Sequence, residues 1–169
     1  TDAQTFPIPV KGFPDLNKAV WAEELQYTAE VLADIVQYAY DRGVRVIPEI
    51  DVPGHAYSWG LGYPNTVAKC PRLMDRTHNI NNVPLNMANE IVYDILGSLL
   101  NGMNDIFVDD YVHLGGDEVV TSCWKEDGRI TQFMKDHNMA TYDDFEGYFE
   151  GRLEQLYRRN NKKMISWQE

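Results

Sequence analysis

The spacing of hydrophobic residues predicts two helices in the first two thirds of the chain. Between residues 28 and 42, apolar side chains recur every three or four positions, namely at Val31, Ile35, Tyr38 and Ala39. Gly43 follows, in a position where glycine often ends a helix. A second run of this spacing covers residues 89–100, with one side formed by Ile91, Ile95, Leu96, Leu99 and Leu100. Both segments are predicted to pack one side against a core.

Three short apolar segments are predicted to be strands. The first covers residues 44–51, the second covers 111–116 and ends in two glycines, and the third covers 163–167. Helical spacing returns at residues 130–136 and 142–159, so helices and strands alternate. This order predicts an α/β fold with parallel strands joined by crossover helices, as in a doubly wound sheet or part of a (β/α)₈ barrel.

Two other segments have the composition of loops. The opening segment, residues 5–14, holds three prolines and a glycine. Residues 55–82 are rich in Gly, Pro, Asn and aromatic residues, and a connection of this length usually has a function or contains small elements of its own.

Composition indicates one globular domain and excludes some partners. The chain has 169 residues, of which 44% are hydrophobic, enough for a single domain with a core. Its net charge of −11 argues against nucleic acid or an anionic membrane as the main partner. No apolar run is long enough for a membrane span, and the first residues lack the basic start and apolar run of a signal peptide.

The two cysteines leave two interpretations open. Cys70 and Cys123 do not match a zinc site, which usually needs four ligands at close spacing. They could form one disulfide or remain two buried thiols.

Polar residues cluster where the first two predicted strands end. Glu49 and Asp51 lie at the end of the first strand and His55 soon after it, and His113, Asp117 and Glu118 lie at the end of the second. In both candidate folds the carboxyl ends of parallel strands surround a common cleft, where such side chains can carry out acid–base chemistry.

Asp117 and Glu118 form the most informative pair. Adjacent residues of a regular strand point to opposite faces, but Gly115 and Gly116 allow the backbone to bend. Both carboxyl groups can then reach one cleft, where a proton donor beside a carboxylate is suited to cleaving a glycosidic bond. The alternative is that the pair caps the following helix.

The histidines have simpler interpretations as well. His55 could be hydrogen-bonded within a turn, and His113 could be a satisfied histidine of the core. A metal site formed by these two with Asp51 and Asp117 is a further alternative, but no close His-His or Cys pair supports it.

One aromatic residue is a candidate for binding. Trp167 ends the third strand next to Gln168 and Glu169, where an indole face could stack on a sugar or on an acetamido methyl group. For the aromatic residues of the loops, which are Tyr57, Trp59, Tyr63 and Trp124, packing in the core is the accepted interpretation.

The motifs taken together resemble the β-N-acetylhexosaminidases of glycoside hydrolase family 20, in particular the eukaryotic lysosomal and secreted members. The resemblance covers essentially the whole chain and rests on residues 45–55 (RVIPEIDVPGH) and 113–118 (HLGGDE). Shorter agreements lie at residues 1–7, 84–86, 123–124 and 166–169. It implies a (β/α)₈ barrel, of which this chain, residues 1–169, would supply about strands 2 to 5 with their helices.

The resemblance also implies a mechanism and its residues. Glu118 would be the general acid/base, and Asp117 would orient the substrate's 2-acetamido group, whose carbonyl oxygen attacks the anomeric carbon with net retention. His55 would join Asp2 to Glu118 in a chain that tunes the proton donor. Trp167 would line the acetamido pocket, and Glu169 is a further candidate for binding substrate.

The remaining implications concern covalent links, partners and location. The resemblance implies a Cys70–Cys123 disulfide, no metal, no cofactor and a lysosomal or secreted protein. The expected partners are glycans ending in β-linked N-acetylglucosamine or N-acetylgalactosamine. The competing interpretation is a non-catalytic half-barrel that only assembles or binds glycans, because other strands of the family's barrel supply further residues of the pocket. Open barrel edges would favour self-association.

Overall fold

A computed structural model describes residues 5–72 and 83–168, in which helices alternate with short parallel strands. Two 3₁₀ helices, Pro14–Ala19 and Glu23–Leu25, precede the first α-helix. The elements that follow are α1 (Ala29–Tyr40), α2 (Tyr57–Gly62), α3 (Glu90–Asn104), β1 (Tyr111–His113), α4 (Thr121–Glu126), α5 (Gly128–Asp136), α6 (Tyr142–Arg159) and β2 (Lys163–Ile165). The α/β class and the second and third predicted strands are confirmed, with α2 as a small helix within the predicted long loop.

Helix α1 forms where it was predicted, but its buried side is different. Thr28 caps it by accepting a hydrogen bond from the Val31 amide. Leu32 and Val36 are the buried residues, whereas the predicted apolar side, Val31, Ile35 and Tyr38, is 44%, 42% and 62% exposed. Both rows have helical spacing, so periodicity predicts the helix without deciding which row faces the core.

The later helices match their predictions more closely. In α3, Ile95, Leu96, Leu99 and Leu100 are buried, as predicted. Helix α6 has a complete capping box between Thr141 and Asp144. It buries one row at four-residue intervals, Phe145, Phe149, Leu153 and Tyr157. Both helices bury their apolar sides in one continuous hydrophobic core.

Strands β1 and β2 pair in parallel, with Tyr111 opposite Lys163 and His113 opposite Ile165. The predicted first strand, residues 44–51, meets the other edge of β1 at a single parallel bridge, Glu49 with His113. Pro48 accounts for this shortening, because it has no N–H to continue the pairing toward Tyr111. On the β1 side, the Tyr111 amide also has another partner, because it donates to Asp109 Oδ1. The segment is therefore extended but is a strand only at this bridge.

Two contacts fasten the connection after α2 to the α4–α5 region. Cys70 and Cys123 form a disulfide, as the resemblance implied, with their Cα atoms 4.9 Å apart. Next to it, buried Asp127 accepts hydrogen bonds from the Lys69 amide and from Arg129. This arrangement holds the connection against the α4–α5 region.

No helix in residues 5–72 and 83–168 is long and apolar enough to cross a membrane.

Candidate functional site

A left-handed turn follows β1 and carries the two carboxylates. Gly115 and Gly116 have φ values of +73° and +96°, and Glu118 has a φ of +53°. These angles bend the chain out of the strand direction, as predicted from the glycine pair. Asp117 and Glu118 therefore leave the sheet at its carboxyl end.

Asp51, at the end of the neighbouring extended segment, supports this turn. Its side chain is 94% buried, since only 6% of the residue is exposed, and its Oδ1 accepts a hydrogen bond from the Gly116 amide at 3.4 Å. A Cβ atom at Gly115 would overlap this carboxyl group. The sequence placed Asp51 in the polar cluster at the strand ends and in the alternative metal site, but this contact with the turn was not predicted.

His55 and Glu118 are brought together, as the resemblance implied. His55 Nε2 lies 3.5 Å from Glu118 Oε2, with the histidine side chain 14% exposed and the glutamate 60% exposed. His55 also has a left-handed backbone, with φ of +47°. The more buried imidazole can thus exchange a proton or a hydrogen bond with the more exposed carboxyl group.

Asp117 has an unsatisfied oxygen. Its Oδ1 is buried and has no hydrogen-bond partner among the residues that the structure describes. Gly54 packs against the Asp117 carbonyl so closely that a Cβ atom there would lie 2.8 Å from the oxygen. A buried carboxylate oxygen without a donor is costly in a protein interior, so it is suited to a donor supplied by a ligand.

The alternative role of these carboxylates as a helix cap is wrong. Helix α4 starts at Thr121 with Val120 at the N-cap, and no side chain of the described residues caps it. Neither Asp117 nor Glu118 is therefore the N-cap of α4.

Trp167 lies beside the same turn. Its amide donates to the Gly115 carbonyl at 2.8 Å, and its ring, in a residue that is 55% exposed, lies 4.6 Å from the His113 ring. His113 is partly buried, and its Nδ1 accepts a hydrogen bond from the Gly115 amide at 3.0 Å. It is thus a satisfied histidine at the edge of the site, and its contact with Trp167 was missed from the sequence.

A cavity of about 330 Å³ lies beside the turn, lined partly by Gly116, Ser166 and Trp167. Its wall on α6 is acidic, with Asp143, Glu146 and Glu150. Burial raises the pKa of Glu146, and the neighbouring carboxylates raise it further. The surroundings of the turn are therefore electronegative.

One group of residues has the composition of a cation site. Ligand atoms of Asp51, His55 and Asp117 all lie within 4.8 Å of one another. Asp51 already accepts the Gly116 amide and His55 lies against Glu118, so both side chains have protein partners. His113, the fourth residue of the metal alternative, is not in this group.

Two predicted site residues, Asp2 and Glu169, lie outside the described residues. The remaining predicted residues meet at one turn. Asp117 and Glu118 lie in it, and His55 and Trp167 lie beside it.

Comparison with known proteins shows the family. The sequence matches the profile described as glycosyl hydrolase family 20, catalytic domain, over residues 1–169. It is 39% identical over 166 residues to beta-hexosaminidase subunit A1 of Dictyostelium discoideum, a match that covers 98% of this chain and 30% of that protein. It is 32% identical over 170 residues to the human beta-hexosaminidase subunit beta, covering 99% and 30%. The chain thus spans about 30% of the length of these relatives.

Solved structures give the same result for the backbone. The chitobiase of Flavobacterium johnsoniae matches with a TM-score of 0.84 and 32% identity, over 99% of this chain and 25% of that one. An exo-β-N-acetylglucosaminidase from Vibrio harveyi, solved in complex with N-acetylglucosamine, matches with a TM-score of 0.81 and 25% identity, over 99% and 29%. The arrangement of helices and parallel strands is therefore similar to a part of these enzymes.

Proposed function

Since this chain belongs to glycosyl hydrolase family 20, we propose that it takes part in removing terminal N-acetylhexosamine residues from β-N-acetylhexosaminides. The substrates would be glycans that end in β-linked N-acetylglucosamine or N-acetylgalactosamine. The reaction is retaining and assisted by the substrate, as the family resemblance implies.

The observation that carries the proposal is the unsatisfied Oδ1 of Asp117 beside Glu118. A 2-acetamido group offers an N–H donor, and Asp117 would accept it. This hydrogen bond orients the acetamido carbonyl toward the anomeric carbon and stabilises the positive charge that develops on the group. A hydroxyl at this sugar position would place its donor differently, so Asp117 also favours N-acetylated substrates.

Glu118 performs the proton transfers. In the first step the acetamido oxygen bonds to the anomeric carbon, the bond to the leaving oxygen breaks, and the Glu118 carboxyl group gives its proton to that oxygen. In the second step the Glu118 carboxylate takes a proton from water, and the water oxygen bonds to the anomeric carbon as the oxazolinium ring opens. Its exposed position suits a group that must meet both the leaving group and water.

The other predicted residues assist these two. His55, 3.5 Å from Glu118, would adjust the acid between its two roles, with Asp2 as its partner on the other side. Trp167 would form a wall of the acetamido pocket, and Glu169 would contact the sugar. No cofactor is needed for any of these steps.

In this proposal residues 1–169 are part of a (β/α)₈ catalytic domain, about strands 2 to 5 with their helices. The apolar row of α1 and the outer edge of β2 would then be places where other chain segments or a second copy of the chain pack. The disulfide suits an oxidising compartment, in agreement with a lysosomal or secreted location.

The first experiment measures release of the aryl group from an aryl N-acetyl-β-glucosaminide by the purified chain at several concentrations. Glu118→Gln should lower the rate on the order of a hundredfold or more, because it removes the proton donor. Asp117→Asn should also lower it strongly, since an amide cannot stabilise the charged acetamido group. Glu154→Gln is the matched control, because Glu154 lies exposed on α6 and pairs with Arg158.

The outcomes separate the enzyme from the second candidate, a non-catalytic glycan-binding half-barrel. Release that rises more steeply than chain concentration would indicate that copies associate to form the working site. Equal release by the unsubstituted protein and Glu118→Gln would contradict the role given to Glu118. Absence of release, together with a change of the Trp167 indole NMR signal on adding N-acetylglucosamine, would favour binding alone.

A further inference from the structure

His113 lies between the turn that carries Asp117 and Glu118 and the indole of Trp167. Both of its backbone groups are bonded to the neighbouring extended segment, because its N–H donates to the Pro48 carbonyl and its carbonyl accepts from the Ile50 amide. On its other edge, the His113 backbone is aligned with Ile165 of β2. The side chain makes two contacts, one from Nδ1 to the Gly115 amide and one from the ring to the Trp167 indole.

We propose that His113 is a positioning residue for the reaction, holding the Gly115 amide with Nδ1 and supporting the Trp167 indole with its ring. The proposal rests on the proposed function, because Glu118 and Trp167 are the groups that it would position. His113 itself touches no reacting atom.

The contacts form a closed circuit. The Gly115 amide donates to His113 Nδ1 at 3.0 Å, the Gly115 carbonyl accepts from the Trp167 amide at 2.8 Å, and the Trp167 ring lies 4.6 Å from the imidazole. Both the N–H and the carbonyl of Gly115 are therefore hydrogen-bonded, at the point where the backbone adopts a left-handed conformation. Fixing Gly115 in this way fixes the direction in which Asp117 and Glu118 leave the strand.

Glu49 gives the ring a second partner. Its Oε2 lies 3.1 Å from the same Nδ1. A neutral Nδ1 has one lone pair and no proton, so it accepts from Gly115, whereas a protonated Nδ1 would donate to Glu49 and leave the Gly115 amide without this acceptor. The proposal takes the tautomer with the ring proton on Nε2, in which Nδ1 accepts the Gly115 N–H.

Two substitutions separate the two contacts. His113→Asn keeps an acceptor near the position of Nδ1 but removes most of the ring, and His113→Phe keeps an aromatic ring but has no acceptor. His137 provides matched controls, because its ring also stacks on an aromatic residue, Phe133, at 3.9 Å and its Nδ1 also makes a backbone contact, with the Phe133 carbonyl at 2.8 Å. His137→Asn and His137→Phe lie outside the site and should leave every readout unchanged.

In the aryl-release assay we expect the two variants to affect different constants. His113→Phe should lower kcat about ten- to a hundredfold, because a misplaced acid turn slows the chemical step, while KM changes little. His113→Asn should keep kcat within about threefold and raise KM roughly three- to tenfold, the effect of losing an aromatic contact behind Trp167. Similar losses of kcat in both variants, or no effect of His113→Phe, would overturn the proposal.

Amide hydrogen exchange at Gly115 tests the proposal without any turnover. Loss of its acceptor in His113→Phe should speed this exchange up to about tenfold, with no such change in His113→Asn. In the unsubstituted protein, a long-range ¹H–¹⁵N correlation spectrum should show His113 protonated at Nε2 and not at Nδ1 at neutral pH. Protonation at Nδ1 would contradict the proposal even if both variants failed to fold. If the unsubstituted protein releases no aryl group, the proposed function fails while these two readouts still decide the role of His113.

Discussion

Left-handed backbone conformations concentrate at the candidate site. His55, Gly115, Gly116 and Glu118 all have positive φ, and two of them are not glycine. Side chains with a Cβ atom rarely adopt this conformation, and such residues persist where the surroundings hold them in place. The contacts of Asp51, His113 and Gly54 with the turn supply that support. The carboxylates are therefore oriented before a substrate arrives.

Gly115→Ala tests this support at a single position. The new Cβ atom would overlap the Asp51 carboxyl group and would need a positive φ, so we expect the free energy of unfolding to fall by about 2 to 4 kcal/mol. Gly102→Ala is the matched control, because it lies in α3 with no atom within 4 Å of the added Cβ, and should stabilise by about 0.5 to 1 kcal/mol. Urea denaturation followed by circular dichroism measures both, and equal effects would contradict the close packing at Gly115.

For single residues, the sequence predicts which side chains suit a site better than it predicts the contacts between them. Asp117, Glu118 and the glycine bend could be predicted because residue type and local backbone freedom decide them. The contact of His113 with Trp167 could not, because it joins residues 54 positions apart through the pairing of β1 with β2. The strand order had to be known first.

Helix α6 has a capping box at its start and a buried row of aromatic and apolar residues along its length. Its buried row ends at Tyr157, whose hydroxyl oxygen is buried without a hydrogen-bond partner among the described residues. Burial raises the pKa of Tyr157 well above its usual value, because the charged form would lose its hydration. Tyr93 of α3 differs, since its buried hydroxyl donates to the Met87 carbonyl at 2.8 Å.

Removing the two hydroxyl groups should therefore have opposite effects. Tyr157→Phe should leave the free energy of unfolding unchanged or raise it by up to about 1 kcal/mol, because it removes a desolvated polar group. Tyr93→Phe should lower the free energy by about 1 to 2 kcal/mol, because the Met87 carbonyl loses its donor. Thermal denaturation of both variants compares them directly, and a larger loss in Tyr157→Phe would show that its hydroxyl has a partner.

Elements were predicted more reliably than their orientation or pairing. The spacing of apolar residues located α1, α3 and α6 because helical period depends on local sequence. The buried side of α1 depends on which of two apolar rows meets the rest of the chain, and the first strand is limited by the missing N–H of Pro48. Both features are decided by tertiary contacts.

At the scale of the whole molecule, Asp127 joins the segment after α2 to the α4–α5 region. Burial alone would raise the pKa of Asp127, but the hydrogen bonds from Arg129 and the Lys69 amide, with the charge of Arg129, lower it below the usual value. These contacts and the disulfide join two parts of the chain that are more than 50 residues apart in sequence.

The lowered pKa gives a prediction about stability and pH. A carboxyl group whose pKa is lower in the folded protein stabilises fully above its unfolded pKa of about 3.9, and this contribution is lost as pH falls through the lower folded value. Asp127→Asn should thus lower the free energy of unfolding clearly at pH 6, and the difference from the unsubstituted protein should shrink below about pH 4. Urea denaturation at pH 6 and pH 3 measures this, with the exposed Asp94→Asn as control. A difference that grows toward low pH would contradict the assignment.

The parallel bridge between Glu49 and His113 has a consequence for the order of folding. It joins residues 64 positions apart, as does the Asp51 contact with Gly116 at a separation of 65, whereas the helices close contacts over three or four residues. Forming such distant pairs costs more loop entropy, so they form later than helices. During refolding, helical circular dichroism should therefore return before the acid turn is assembled, and a chain caught midway would be rich in helix yet unable to place Glu118 beside His55.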